Sequence, residues 1–428
     1  MILIKSPTVN EALVTGLKVL LKHGYEEVSR NGKALVAPQT VTNEYLYPNM
    51  RLLFSEERDA NPFFHLIEAM WMLAGRKDIA ILKRFAANIA SYSVDGETMH
   101  AAYGYRWIHH FGVDQIIEVI KKLRSQPNTR QAVLQIWSPE DDLVNSQENS
   151  KDRACNLSVV FTARPIPGMP EDSKNYMLDM QVFNRSNDAI WGCYGANYVH
   201  FSFLMSFVAE LSGMSLGTYS QISSNFHMYS RELYGEKLYD ALIEVSHDEG
   251  SPNLGLKPAF SAMLEDENSQ PIGAESNHYL RGLFFLGNTF FPSDLDLSES
   301  EVQAIVQGFQ YEVNLVLDHC AATDGEALDS SSPIGIDHPF LLNVVLPMID
   351  AHHSFKKKEY DRALSILETA DAYLLDHHSD ELFSIKPEYK KDTGSPCKYD
   401  WFHAAWLWVN RRKQAHLSSV QTPKKQPG

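Results

Sequence analysis

The chain has 428 residues, 44% hydrophobic and 21% charged, a balance that excludes wholesale disorder, collagen and coiled coil. That length suits two or three average domains, or one large domain with an extension. A net charge of −16 argues against gripping nucleic acid, although a few local arginines and backbone N–H groups still suffice for a small anion.

The start, MILIKSPTVNEAL, has no basic stretch leading into an apolar one, so no secretion signal is expected. No apolar run reaches the roughly 18 residues of a membrane span, so no membrane partner is expected. Residues 8–25 read as a helix, with Leu13, Val14, Leu17, Leu20 and Leu21 near a 3.6-residue period. Short β-like runs fill 33–56 around a Tyr-Pro turn. Helices follow at 62–75, opened by Pro62 and closed by Gly75, at 77–91, and at 114–126. Strands are expected at 130–137, 156–164, 176–185 and 219–229, with a long apolar helix at 197–213 ended by Gly213.

Residues 247–277 are rich in Asp, Glu, Asn, Ser, Pro and Gly and read as a linker or loop. Helices then dominate at 299–321, 338–355, 358–377 and 398–414. The tail 417–428 reads as disordered. The chain therefore divides into 1–250, a linker 251–275, a helical extension 276–416 and the tail.

Four cysteines, Cys155, Cys193, Cys320 and Cys397, show no CxxC spacing. They imply neither a disulfide framework nor a zinc site, and no metal is expected. A reducing, cytoplasmic setting leaves a lone cysteine free to act as a nucleophile. Cys155, in DRACNLSVV, stands just before a strand, where a small core hydrophobe is the plainer role. Arg185 and Ser186 end an alternating strand, as solvated edge residues or as a phosphate grip. Asn197 opens a helix and reads by position as an N-cap. His227 and Tyr229 share one strand face. The pairs His109-His110, His352-His353 and His377-His378 read as solvated rather than metal-binding, because helical neighbours point roughly 100° apart. Cys193 lies in the loop before Asn197, where it could touch a ligand.

Taken in order, these pieces resemble the thymidylate synthase and pyrimidine nucleotide hydroxymethylase superfamily. The order is Cys155, Arg185-Ser186-x-Asp188 thirty residues on, a glycine-bearing loop, Asn197, then His227-x-Tyr229. Upstream, HLIEAMWMLAG (65–75), YGYRW (103–107) and QPNTRQAVLQIWSPEDDL (126–143) agree, so the likeness covers residues 15–235. It implies an α+β fold, a mixed sheet with packed helices, to which a mainly helical C-terminal extension is added.

The resemblance also implies roles. Cys155 is the thiolate that adds to C6 of a pyrimidine nucleotide, with Arg185 beside it. Arg185, Ser186, Arg30 and Arg130 hold the phosphate, Arg130 from the second subunit of a homodimer. Glu68 moves protons through water, and Tyr103 helps deprotonate C5. His227 and Tyr229 bind the sugar 3′-hydroxyl. Asp188, with Gly192 in the same loop, holds the pterin of 5,10-methylenetetrahydrofolate. Asn197 reads the base, and asparagine rather than aspartate there points to dUMP over dCMP.

The departures matter as well. Ala154-Cys155-Asn156 replaces Pro-Cys-His, Arg130-Gln131 replaces paired arginines, and Asn225 replaces an aspartate. No tryptophan lies between Trp71 and Trp107, where a synthase covers its folate, although Tyr92 could replace one ring. A wetter site favours water over hydride as the final reactant, which places hydroxymethylation ahead of methyl transfer. Such nucleotide modification is typical of viruses that carry altered DNA bases. The alternatives are a methyl-producing synthase, a non-catalytic nucleotide-binding platform serving the extension, and a Cys155–His227 hydrolase.

Overall fold

The computed structural model describes residues 1–428 except 30, 57, 145–151, 167–175, 248–296, 324–334, 378–393 and 422–428. The expected linker 251–275, the start of the extension and the last seven residues lie outside the described residues.

A six-stranded mixed sheet forms the centre, in the order β1 (Ile2–Ser6), β4 (Val41–Tyr45), β9 (Ser215–Ser223), β7 (Tyr176–Asn184), β6 (Asn156–Pro165), β5 (Val133–Gln135). A second sheet runs β2 (Tyr25–Ser29), β3 (Gly32–Val36), β10 (Phe226–Tyr229), β8 (Asn187–Asp188). The α+β class stands. Strands β1 and β2 have no counterpart in the sequence reading.

Helix α1 (Val9–His23) starts at a Thr8–Glu11 capping box, and α2 (Pro62–Leu73) at Asn61, whose side chain accepts from Phe64 N at 3.2 Å. Gly75 follows α2 with φ +70°, the left-handed backbone that stops it. The helix expected over 77–91 is broken. Met99 N donates to Lys77 O at 2.7 Å and Ile79 N to Glu97 O at 2.9 Å, so 77–79 pair with 97–99. Only α3 (Leu82–Phe85) and a 3₁₀ turn (Ala87–Ser91) remain, separated by extended Ala86.

The short α4 (Tyr103–Tyr105) passes so close to α2 that a Cβ on Gly104 would lie 1.9 Å from Met72 O. Helix α5 (Gln115–Ser125) is capped by Asp114. The strand read at 130–137 shrinks to β5, because Ile136 N and Trp137 N both turn onto Leu157 O at 3.0 Å. The strand read at 219–229 splits at Ser224-Asn225. Ser224 N donates to Asn184 O at 2.9 Å and Asn225 O accepts from Asn187 N at 2.8 Å, so β9 and β10 enter different sheets.

Helix α6 (Asn197–Leu211) is buried nearly all round, which accounts for its apolar sequence. Its first turn corrects one expectation. Ala196 is the N-cap, and Asn197 is already helical with its side chain bonded elsewhere.

Helices α7 (Arg231–Tyr234) and α8 (Glu236–His247) follow. The C-terminal part supplies α9 (Glu299–Ala322), α10 (Leu346–Lys356), α11 (Tyr360–His377) and α12 (Asp400–Gln421). A turn of π-helix, Leu341–Val345, precedes α10. Helix α12 runs five residues into the stretch read as tail, tied by Lys413 to Asp361 at 2.5 Å and by Tyr360 packed on the His416 ring. These helices share the central core: Phe203 meets Phe340 and Trp401, Phe207 meets Phe309, and Phe63 meets Trp408. No helix among the described residues is long and apolar enough to cross a membrane.

His352 is buried, not solvated, and stacks on Phe85 at 4.3 Å between centroids. Burial pushes its imidazole down to about 3, and that of His338 down to about 4. Both stay neutral in the fold, while the unfolded chain takes up their protons below about pH 6.5. Stability therefore falls as pH drops from about 6.5 towards 4. Thermal unfolding across that range is expected to show the decline. His352→Phe is expected to flatten it by on the order of 2 kcal/mol at pH 5.

Candidate active site

The antiparallel pairing of β6 with β7 brings Cys155 and Arg185 together. Arg185 N donates to Cys155 O at 2.9 Å, one step past the regular strands. The guanidinium then folds back, with Nε on Ala154 O at 2.9 Å and Nη2 3.9 Å from Cys155 Sγ. It also faces the Trp137 ring, 5.5 Å from the centroid. Tyr103 approaches from the other side, its hydroxyl accepting from Cys155 N at 3.4 Å. Burial and the neighbouring Cys155 hold that phenol well above its usual range. Cys155 is half-exposed, whereas Cys193, Cys320 and Cys397 are buried. Ser186 is half-buried beside Arg185.

Asn156, where the resemblance leads one to look for histidine, is fully buried and gives its amide N–H to Asn184 Oδ1. It does not replace an open imidazole. A different histidine, on α6, stands beside Glu68. His200, three residues after Asn197 and so on the same helix face, sets Nε2 2.9 Å from Glu68 Oε2 of α2. Its i, i+3 spacing from Asn197 is the trace of this placement in the sequence.

Asn197 Nδ2 donates to Asn187 Oδ1 at 3.3 Å. Asn187 Nδ2 donates in turn to Gln221 Oε1 and Ser223 Oγ, each at 3.1 Å. Gln221 Nε2 ends the chain on Cys193 O at 2.8 Å. Gly192 lies against this joint: a Cβ there would be 2.8 Å from Asn187 Oδ1 and 3.2 Å from Asn197 Nδ2. Cys193 is wholly buried, with Asn43 Nδ2 3.4 Å from its sulfur, so it belongs to the core and not to a ligand surface.

His227 and Tyr229 stand on β10 with rings 4.9 Å apart. Asn31 donates to Tyr229 Oη at 3.1 Å. Its neighbour Arg30 lies outside the described residues. Asp188 starts the loop to Asn197, accepting from Trp191 N at 2.5 Å and from the Tyr234 hydroxyl. Trp191 packs on Tyr234 at 5.0 Å and faces Tyr229 at 6.3 Å. Tyr92 is close enough to Asp188 for its phenol to be raised by that charge after burial.

Arg58, which the sequence did not single out, donates Nε to Ile190 O at 3.1 Å and carries its charge beside Asp188. Nothing in the sequence links positions 58 and 190. An acceptor carboxylate flanked by aromatic rings and a guanidinium fits a flat heteroaromatic ring bearing N–H groups and an anionic tail.

Arg130 is exposed ahead of β5 and makes no described hydrogen bond or ion pair with Arg185 or Cys155. Within one chain, then, Cys155, Arg185, Tyr103 and Ser186 form one group, Asn197, Gly192 and Glu68 line α6, and His227, Tyr229 and Asp188 belong to the second sheet. Among the described residues no group of histidine, cysteine and carboxylate side chains is placed to hold a metal.

The family model described as thymidylate synthase matches residues 14–266. A protein of Pseudomonas phage M6 named deoxyuridylate hydroxymethyltransferase is 35% identical over 373 residues, 86% of this chain and 90% of that one. An alignment of that length necessarily runs well beyond residue 250. Proteins of the same name from Bacillus phage SP01 and Delftia phage PhiW-14 are 35% and 28% identical. They align with 54% and 53% of this chain and with 59% and 62% of their own lengths.

The exposure of the four cysteines makes a test. Native-state alkylation with iodoacetamide, read by intact mass, is expected to modify Cys155 alone. Arg185→Gln is expected to slow that labelling several-fold at pH 7, because the thiolate loses the cation beside it.

Proposed function

This chain belongs to the thymidylate synthase family, and from that premise we propose that it transfers a one-carbon unit to C5 of dUMP and finishes it as hydroxymethyl. The observation that carries the reading is the Cys155 sulfur held 3.9 Å from the Arg185 guanidinium with the Tyr103 hydroxyl alongside.

In this reading Cys155 Sγ bonds to C6 of uracil, and the C5–C6 π pair moves towards O4, which makes C5 nucleophilic. 5,10-Methylenetetrahydrofolate supplies the carbon that C5 takes up. Tyr103 stands to receive the C5 proton through water, and the Glu68–His200 pair to hold it. Loss of the C5 proton, with the bond between the transferred carbon and the folate nitrogen breaking and its electron pair leaving on that nitrogen, leaves an exocyclic methylene on the nucleotide. Water adds to that carbon, and the Cys155 thiolate departs to restore the C5–C6 double bond. Arg185 and Ser186, with Arg30 and with Arg130 of a second copy, bind the phosphate. His227 and Tyr229 bind the sugar, and Asn197 binds the base. Asp188, Gly192, Trp191, Tyr92 and Arg58 would hold the folate.

The homodimer is part of the proposal because Arg130 is exposed and makes no hydrogen bond or ion pair among the described residues of its own chain. Residues 1–250 are taken as the catalytic unit and 276–416 as a helical extension, of which the described helices α9 to α12 share the central core. The host cytoplasm is the setting proposed for the reaction, a reading supported by relatives that come from phages.

A methyl product is the second reading, favoured by one observation: the Trp191 ring, packed on the Tyr234 that bonds Asp188, offers the site a tryptophan that the stretch between Trp71 and Trp107 does not contain. Mass spectrometry of products from dUMP and the folate separates the two. A gain of CH₂O is expected, and a gain of CH₂ with dihydrofolate would select the methyl reading. Cys155→Ser is expected to abolish both while leaving nucleotide binding in place. Transfer at the wild-type rate by that variant would overturn the mechanism. No product from the wild type, with dUMP bound, would leave the binding-platform reading. Glu68→Gln and His200→Gln are each expected to lower kcat 10²- to 10⁴-fold, the usual range for a positioned proton carrier, with less change in KM.

A further inference from the structure

We propose that Asn187 is the specificity-determining positioning residue of the base pocket: it locks the Asn197 amide in one of its two flips, so the pocket reads one pyrimidine and rejects the other. That Asn197 reads a pyrimidine, and that the base is uracil, rests on the function proposed above; the amide chain that locks Asn197 does not.

The lock is built from the peptide backbone outward. The Cys193 carbonyl can only accept, so the Gln221 amide must turn its NH₂ towards it, at 2.8 Å. That leaves Gln221 Oε1 facing Asn187, whose NH₂ donates to it and to Ser223 Oγ at 3.1 Å each. Asn187 therefore presents Oδ1 to Asn197, and only the NH₂ of Asn197 can meet it, at 3.3 Å. Turning the Asn197 amide over would set two acceptors against each other. No upstream flip relieves this, because each amide is fixed by the one before it, back to a carbonyl that cannot change. Asn187 is 2% exposed and Gln221 and Ser223 are 0%, so water is not there to repair a broken link. Gly192, with no room for a Cβ, keeps the Asn187–Asn197 joint closed.

Uracil offers a donor at N3 and an acceptor at O4, while cytosine offers the reverse, an acceptor at N3 and a donor at N4. A freely turning asparagine serves both bases, and a locked one serves a single base. Asn187 acts through Asn197 and not on the substrate.

The test measures binding of dUMP, dCMP and deoxyribose 5-phosphate by calorimetry in a Cys155→Ser background, with and without Asn187→Leu. Asn187→Ser is the milder substitute where the leucine variant does not fold. The unsubstituted pocket is expected to prefer one base strongly. The Asn187 variant is expected to narrow the dUMP:dCMP ratio of affinities at least tenfold, by weakening the preferred base and strengthening the other, with deoxyribose 5-phosphate unchanged. A ratio that stays the same, or equal weakening of all three ligands, would overturn the proposal. So would an unsubstituted pocket that takes both bases alike. The function proposed above fails separately. Selective binding without carbon transfer by the Cys155 protein would remove that reading and leave the lock standing. A preference for dCMP would keep the lock and change the base.

Discussion

The ladder between β6 and β7 carries one hydrogen bond beyond its regular strands, from Arg185 N to Cys155 O at 2.9 Å, and much of the site hangs from it. The two residues are thirty apart in sequence. The bond fixes both backbones, and the guanidinium then has little choice but to fold over Ala154 O and the thiol. A register shift between Asn156 and Ser158 lets the strand leave the ladder there. The same shift accompanies the turning of Asn156 inward to Asn184, which leaves the thiol, and not its neighbour, partly exposed.

The rest of the molecule holds that strand end in place. Arg106 and Asp142 form a buried ion pair, each 1% exposed at the side chain. Arg106 also reaches Ile136 O at 2.9 Å, and Asp142 accepts from Ser138 N at 2.9 Å. The pair therefore ties the turn carrying Tyr103 to the segment after β5. Its charges are tolerable in the core because they face each other and because both Arg106 Nη atoms and the Asp142 carboxylate also bond to backbone groups, and losing one partner of such a pair costs about 3–5 kcal/mol.

The C-terminal helices reach the site from the far side. Arg411 and Arg412 of α12 grip Asp59, which sits at φ +44°. Its neighbour Arg58 holds the Ile190 carbonyl in the loop between Asp188 and Asn197. Phe340 and Trp401 pack against Phe203 of α6, the helix that carries Asn197 and His200. A helical part that bears none of the family's motifs thus supports two segments that do.

Local pattern was enough for the α+β class and for α1, α2, α5 and α6, and the order of Cys155, Arg185, Ser186, Asp188, Asn197, His227 and Tyr229 along the chain was enough to propose them as a site. Helices α1, α2 and α5 carry caps, stop signals or a periodic apolar face written in neighbouring residues, and α6 is marked by an apolar run closed by Gly213. Tertiary structure decided the rest. Residues 77–79 have helical composition but pair with 97–99, and β9 and β10 part company at Ser224-Asn225 because two different sheets claim them. His352 and Cys193 are buried by elements distant in sequence. Arg58 meets Ile190, His200 meets Glu68, and Asn187 meets Gln221 only after the sheet and α6 have packed. Hydrogen bonding between side chains depends on distance and direction in three dimensions. Sequence order carries that information only inside a helix turn or along a strand.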